Sequence, residues 1–264
     1  MSTRAPYPAV FVHGLIGTLG AQDLLQRFSP RPVLAPDLLG YGEHASAPPE
    51  RIDLDAQAQH LNREVEEAGA ERVHLVGHSV GGAVAALFAD RHPHRVASLV
   101  SVEGNFTLAD AFWSAKVARM TAEQVKQMLA DSRADPASWL RDAGVMPDRR
   151  RLALARRWLG YQPASTVQAM ARAVVNTTGQ HAYERTLRGV FARAPVYLVA
   201  GERSRDGWDV PAWALSSARG FTVIPRAGHL VMVEQPKRFA ETIGLFLADA
   251  EDREAADDEP SGQT

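Results

Sequence analysis

The run Gly77-His78-Ser79-Val80-Gly81 places a serine between two glycines where the hydrophobic pattern changes period. Residues 72–76 are apolar and β-branched, as in a buried strand. From Val80, the residues Ala83, Val84, Ala85, Ala86, Leu87 and Phe88 read as a tightly packed helix ending near His92-Pro93. A strand that turns at once into a helix needs a sharp, strained corner, and glycines let strand, loop and helix approach closely there. The corner pushes the Ser79 hydroxyl out of the packed layers, at a helix N-terminus that favours negative charge. A serine hydroxyl at neutral pH is a poor nucleophile and needs an adjacent base, so one of the nine histidines must serve it from elsewhere in the chain.

The elements around this corner alternate. Residues 9–12 form a short apolar run that ends in His13-Gly14, followed by a glycine-rich loop to Gly20. Strand, glycine loop and helix suggest a dinucleotide site with Asp37 as ribose ligand. However, Gly14, Gly17 and Gly20 do not make the Gly-x-Gly-x-x-Gly spacing, and that reading is set aside. Residues 22–28 predict a short helix and 32–35 a second buried strand. Asp53 or Asp55 caps a helix with the stripe Leu54, Ala58, Leu61, Val65 and Ala68, which Gly69 stops. Residues 96–102 predict another buried strand. Alternating strands and helices imply a mostly parallel sheet with helices on both faces, its functional loops at the C-terminal strand edge.

Residues 105–190 break the alternation and are helical in character, punctuated by Pro136, Pro147 and Pro163. The sheet resumes at residues 195–200, a helix is expected within 208–219, and 221–224 form the last strand. Pro236 then opens a final helix with Phe239, Ile243, Phe246 and Leu247 facing inward. Residues 251–264, acidic and ending in Pro-Ser-Gly-Gln-Thr, read as a disordered tail.

Composition narrows the classes of function. The chain has no cysteine, which excludes disulfides, thiol nucleophiles and thiolate metal sites. A formal net charge of −2 gives no electrostatic reason to expect nucleic acid or an anionic membrane as partner. Residues 1–8 carry one Arg and no apolar core of a signal peptide, and no apolar run is long enough to span a bilayer, so a cytoplasmic location is expected. Asp90, His92 and His94 surround a helix-ending proline and read as solvated, so no metal is assigned.

The Gly-x-Ser-x-Gly corner, set between this strand and this helix, resembles the nucleophile elbow of the α/β-hydrolases. Asp37-Leu38-Leu39-Gly40-Tyr41-Gly42 resembles the Asp-x-x-Gly-x-Gly turn of the same family, with Asp37 as a turn residue rather than a catalytic one. The resemblance implies an α/β-hydrolase core at 1–104 and 191–250, with a helical cap at 105–190. Only eight residues precede the first strand, too few for the family's N-terminal hairpin, so a trimmed sheet of about six strands is expected.

What the resemblance implies for the site can be placed residue by residue. Ser79 is the nucleophile. His229, in the glycine-containing loop between the last strand and the last helix, is the base. His13-Gly14 marks the oxyanion loop, so the N–H groups of Leu15 and Val80 hold the oxyanion. The family's acid falls in the turn Gly201-Glu202-Arg203-Ser204-Arg205-Asp206, but Ser204 occupies the expected position and cannot balance an imidazolium. Two alternatives remain. Asp206 reaches in from the same turn, or Glu103 takes the role from the end of the strand 96–102, as in some relatives; Glu103 is preferred. A carboxylate at the edge of a buried strand needs a cationic or donor partner in any case.

The activity implied is hydrolysis of a carboxylic ester or thioester of a small, largely apolar acyl substrate through an acyl-enzyme, with no cofactor. A serine at the elbow argues against dehalogenase and epoxide-hydrolase chemistry, which need a carboxylate there. C–C hydrolase, lactonase or cofactor-free lyase or cyclase chemistry on the same residues, or a binding protein on a hydrolase scaffold, stay open, as does the oligomeric state.

Overall fold

A computed structural model describes residues 5–258. Six strands form one sheet: β1 (Ala9–Val12), β2 (Val33–Leu34), β3 (Val73–His78), β4 (Val96–Val102), β5 (Val196–Gly201) and β6 (Gly220–Ile224). Their order is β2-β1-β3-β4-β5-β6, and every neighbouring pair is parallel. The strands are apolar at both parities because both faces are covered. Val10 and Val12 pack into one core cluster with Leu75 and Leu198, while Ala9 and Phe11 pack into a second with Val76 and Val199. The chain leaves β1 toward β2 on one side and returns to β3 on the other. The loops after β1 and β3 therefore flank a switch point, where open α/β sheets place their sites. Those loops hold Gly14-Leu15 and Ser79.

The short α1 (Gln22–Leu25) follows β1. Helix α2 (Leu54–Glu67) is capped by Asp53, which accepts the Ala56 N–H at 2.7 Å. Helix α3 (Val80–Arg91) is buried on nearly every face, so small residues fill it. Between β4 and β5 run six helices: α4 (Phe112–Arg119), α5 (Ala122–Ala134), α6 (Pro136–Asp142), α7 (Arg149–Leu159), α8 (Ala164–Thr178) and α9 (His181–Arg193). Their starts follow the sequence closely. Thr121 and Gln124 form a capping box, Asp135 caps a helix with Pro136 in its first turn, and Asp148 caps α7 after Pro147. Helix α9 passes the boundary expected at residue 190. The segment shares its core with the sheet, since Val117, Leu129, Val167 and Met170 lie in the cluster that contains Val10 and Leu75. Helices α10 (Ala212–Ser217), α11 (Val231–Glu234) and α12 (Pro236–Asp258) complete the chain.

The expectation of disorder from residue 251 is corrected by α12, which continues to Asp258; residues 259–264 lie outside the described part. Charge pairing across the N-terminal sheet edge explains the extension. Glu251 accepts both Arg31 guanidinium nitrogens at 2.7 Å and the Tyr7 N–H at 2.9 Å, and lies 3.2 Å from the buried His74 ring. Glu254 accepts from Arg72. Burial pushes the Glu251 carboxyl up, but these donors outweigh it and hold the pKa at about 2. Because the folded pKa lies below the unfolded value near 4.5, this stabilisation is full above that value and fades as pH falls toward about 2. Glu251→Gln is expected to cost about 1.5–3 kcal/mol at neutral pH, roughly 4–10 °C in Tm, with the gap to wild type closing in acid. Thermal melts across pH check this, and an unchanged melt at neutral pH contradicts it.

Candidate active site

Helix α3 starts at the serine. Ser79 has φ 53° and ψ −124°, a strained conformation, and its side chain does not cap the helix, so Oγ is left for other work. The corner is closed by glycine. A Cβ on Gly81 would sit 2.2 Å from the Val12 carbonyl oxygen and 2.4 Å from that of His13, so the end of β1 lies against the start of α3. A Cβ on Gly14 would sit 3.2 Å from the Ser79 Cβ, which puts the loop after β1 directly beside the serine.

That loop is held by two buried rings. His13 Nδ1–H donates to the Gly14 carbonyl at 2.9 Å, and Nε2 accepts the Leu38 N–H at 3.4 Å. Burial pulls the His13 pKa down to about 4, so the ring is neutral near pH 7. Its edge meets the Tyr41 ring, and the Tyr41 hydroxyl donates to the Leu15 carbonyl at 3.0 Å. The Leu15 peptide is thereby fixed through its oxygen, while the Leu15 and Val80 N–H groups have no hydrogen-bond acceptor among the described residues.

Strand β4 ends in a buried carboxylate. Glu103 follows it with φ 44°, is 5% exposed, and takes the Val199 carbonyl with its N–H at 3.0 Å. Its Oε2 accepts from His229 Nδ1 at 2.7 Å; its Oε1 accepts the Gly201 N–H at 2.7 Å and the Ser204 hydroxyl. Burial raises the Glu103 pKa, but His229, Ser204 and the Gly201 N–H more than offset it and hold the carboxyl below its ordinary value. The bond to Nδ1 leaves His229 Nε2 as the ring's free acceptor.

The histidine itself is positioned from behind. The His78 Nε2–H donates to the His229 carbonyl at 3.0 Å, and the two rings lie 4.7 Å apart. Since His78 immediately precedes Ser79, this bond ties the His229 loop to the elbow. Burial lowers the His78 pKa to about 3, keeping it a neutral donor. The Ala227 carbonyl accepts the Arg203 N–H at 2.9 Å, and Glu234 accepts the Gly228 N–H at 2.7 Å, so the loop is knit to both neighbours.

Of the residues singled out from sequence, Glu103 and His229 are joined directly, and the serine sits one residue from the ring that holds His229. Asp206 is exposed and has no hydrogen bond or ion pair among the described residues. Asp37 acts as a turn and latch residue. It accepts the Glu43 N–H at 3.0 Å and the Tyr161 hydroxyl at 2.5 Å, while the Gly42 N–H donates to the Tyr161 carbonyl at 3.0 Å. The Gly17 N–H donates to Gln162 at 3.0 Å, a second tie between the helical segment and the loop after β1. Sequence reasoning missed the bracing by His78 and Tyr41, for which no local pattern exists. It saw Ser204 only as an absent acid, although a hydroxyl donor at that position points to a carboxylate elsewhere. Ser204→Ala is expected to lower kcat about 10-fold, since Glu103 keeps two donors, and Asp206→Asn is expected to change it less than about twofold. Steady-state kinetics of both variants check this.

The chain belongs to the alpha/beta hydrolase family, whose model matches residues 9–242. It is 30% identical over 250 residues to the dihydrolipoyllysine-residue acetyltransferase component of the acetoin cleaving system of Pseudomonas putida, covering 91% of this chain and 63% of that protein. The chain thus spans under two thirds of that relative's length. It is 27% identical over 262 residues to a 2-hydroxy-6-oxo-2,4-heptadienoate hydrolase of Pseudomonas putida, covering 93% of this chain and 90% of that one. A carboxylesterase structure from Nitrososphaera gargenis shares the fold with a TM-score of 0.70 at 16% identity, over 94% of this chain and 92% of that one. Among the described residues no helix is long and apolar enough to cross a membrane.

Proposed function

We propose that this hydrolase cleaves a carboxylic ester or thioester of a small, largely apolar substrate through an acyl-enzyme on Ser79. His229 Nε2 removes the Ser79 proton as Oγ attacks the carbonyl carbon, and Glu103 stabilises the imidazolium so formed. The oxyanion is received by the Leu15 and Val80 N–H groups, each worth about 3 kcal/mol of barrier. Collapse expels the alcohol or thiol, which takes the proton from His229. Water then gives its proton to the same nitrogen, attacks the acyl carbon, and releases the acid with Ser79 restored. The residues 105–190 are proposed as a cap over this edge, latched through Tyr161 and Gln162. The observation that carries the reading is the 2.7 Å bond from His229 Nδ1 to a carboxylate held by two further donors, beside a strained serine with an uncommitted hydroxyl.

A second chemistry on the same residues is C–C bond hydrolysis, supported by the near full-length similarity to the heptadienoate hydrolase. Parallel turnover of short-chain p-nitrophenyl esters, an acyl thioester and 2-hydroxy-6-oxo-2,4-heptadienoate tests both. Faster turnover of the esters or thioester supports the first reading, faster cleavage of the dienoate the second, and turnover of none contradicts both in favour of a binding role.

A further inference from the structure

Beside the loop after β2, two histidines and a glutamate converge, and the Glu64 carboxylate between them accepts no hydrogen bond from either ring. His60 and Glu64 lie one turn apart on α2, and His44 reaches them from the turn after Tyr41. Their ligand atoms all fall within 4.8 Å of one another. The Glu64 carboxylate oxygen is 3.6 Å from Nε2 of His44 and 3.6 Å from Nε2 of His60. That distance is too long for a hydrogen bond. It is close to the separation of two ligands on one tetrahedral ion, since bonds of about 2.0–2.1 Å put their donor atoms roughly 3.3–3.4 Å apart. The His44 and His60 rings meet edge to face, 4.4 Å between centroids, and both Nε2 atoms approach the same Glu64 oxygen.

We propose that His44, His60 and Glu64 form a binding site for a zinc-class divalent cation. Two imidazoles and one carboxylate are a common ligand set for such an ion and leave a fourth position for water or a carbonyl. His60 Nε2 lies 2.9 Å from the Asp37 carbonyl oxygen, to which it donates. On binding, the His60 proton moves to Nδ1, and the Asp37 carbonyl is left beside the ion. His44 and Glu64 are only partly exposed and make no side-chain hydrogen bond among the described residues, so the His60–Asp37 bond is the hydrogen bond the ion replaces.

The ion would brace the active-site loop from outside. The turn that carries His44 is closed by the Gly40 N–H donating to the His44 carbonyl at 3.0 Å and the His44 N–H donating to the Tyr41 carbonyl at 2.7 Å. Tyr41 in turn holds the Leu15 carbonyl. Fixing His44 to α2 therefore restricts the support of the loop after β1.

Titration of ZnCl2 into the chelator-treated full chain near neutral pH, followed by calorimetry and thermal melting, tests the site. One Zn2+ per chain is expected, with Tm raised by roughly 5 °C or more at 100 times Kd. His44→Ala, at a partly exposed position, should weaken binding by about 100-fold or more, and Glu64→Gln should do the same. His94→Ala should leave binding unchanged. Co2+ substitution should give a tetrahedral d–d spectrum that His44→Ala abolishes. Equal Zn2+ affinity in wild type and His44→Ala overturns the proposal, as does a site that survives His44→Ala but disappears in His229→Gln.

Discussion

Glu103→Gln is expected to lower kcat on a short-chain aryl ester by about 10³–10⁴-fold while the protein stays folded. The amide is the same size as the carboxylate and keeps an oxygen for the Gly201 N–H and the Ser204 hydroxyl, which now hold Oε1. Those two donors fix which end of the amide carries oxygen. The NH2 group must then face His229 Nδ1, where Oε2 now accepts at 2.7 Å. Two donors cannot share that contact, so the imidazole shifts its proton to Nε2 and presents an N–H to the serine in place of a lone pair. The charge that balanced the imidazolium is also gone. Ser204→Ala keeps both the charge and the tautomer, which is why its expected loss is so much smaller. Steady-state kinetics with a circular dichroism check of folding decide the matter. A near wild-type Glu103→Gln beside an inactive Asp206→Asn would return the acid to the turn after β5.

Ser79→Ala is expected to abolish acyl turnover, a loss of about 10⁶-fold in kcat, with Tm unchanged within a few degrees. Activity and stability separate here for a structural reason. The hydroxyl caps nothing, and the serine backbone, not its side chain, carries the local hydrogen bonds: its N–H donates to the Val102 carbonyl at 3.0 Å and its carbonyl accepts the Gly82 N–H at 2.8 Å. Alanine keeps both. Glycine goes further, because φ 53° is a strained value for any residue with a Cβ, so Ser79→Gly is expected to be inactive and more stable by about 1 kcal/mol. Strain of this kind recurs at the same sheet edge, at Glu103 and at Arg226, where β4 and β6 end. Turnover by Ser79→Ala near the wild-type rate would remove the serine from the chemistry.

Much of this architecture could be read from local patterns, because local rules govern it. Strands buried on both faces, helices announced by Asp53 and Pro236, and the Gly-x-Ser-x-Gly corner all carry their signal within a few residues. Glu103 was legible only through its place at a strand end. What fixes it is the Gly201 N–H and Ser204, which are about a hundred positions away and reach it through the sheet. His78 and Tyr41 gave no signal, since each braces the site through a backbone carbonyl that any residue could supply. The C-terminal misreading has a similar cause. Residues 251–258 are polar and acidic, and composition alone favours disorder, but Glu251 and Glu254 find Arg31 and Arg72 at the N-terminal edge of the sheet. Long-range charge complementarity leaves no local mark. The turn bearing His44 and the helix bearing His60 and Glu64 illustrate the same blindness, as neither spacing alone suggests a ligand set.

The central claim is that the Ser79 hydroxyl is made nucleophilic by His229, which Glu103 orients. Incubation with a fluorophosphonate, followed by intact-mass and peptide-mass analysis, tests it most directly. The prediction is rapid, stoichiometric modification mapped to Ser79, none in Ser79→Ala, and labelling slowed by orders of magnitude in His229→Gln and Glu103→Gln. An unmodified wild-type chain, an adduct on another residue, or equal labelling rates in all the histidine and glutamate variants would contradict it.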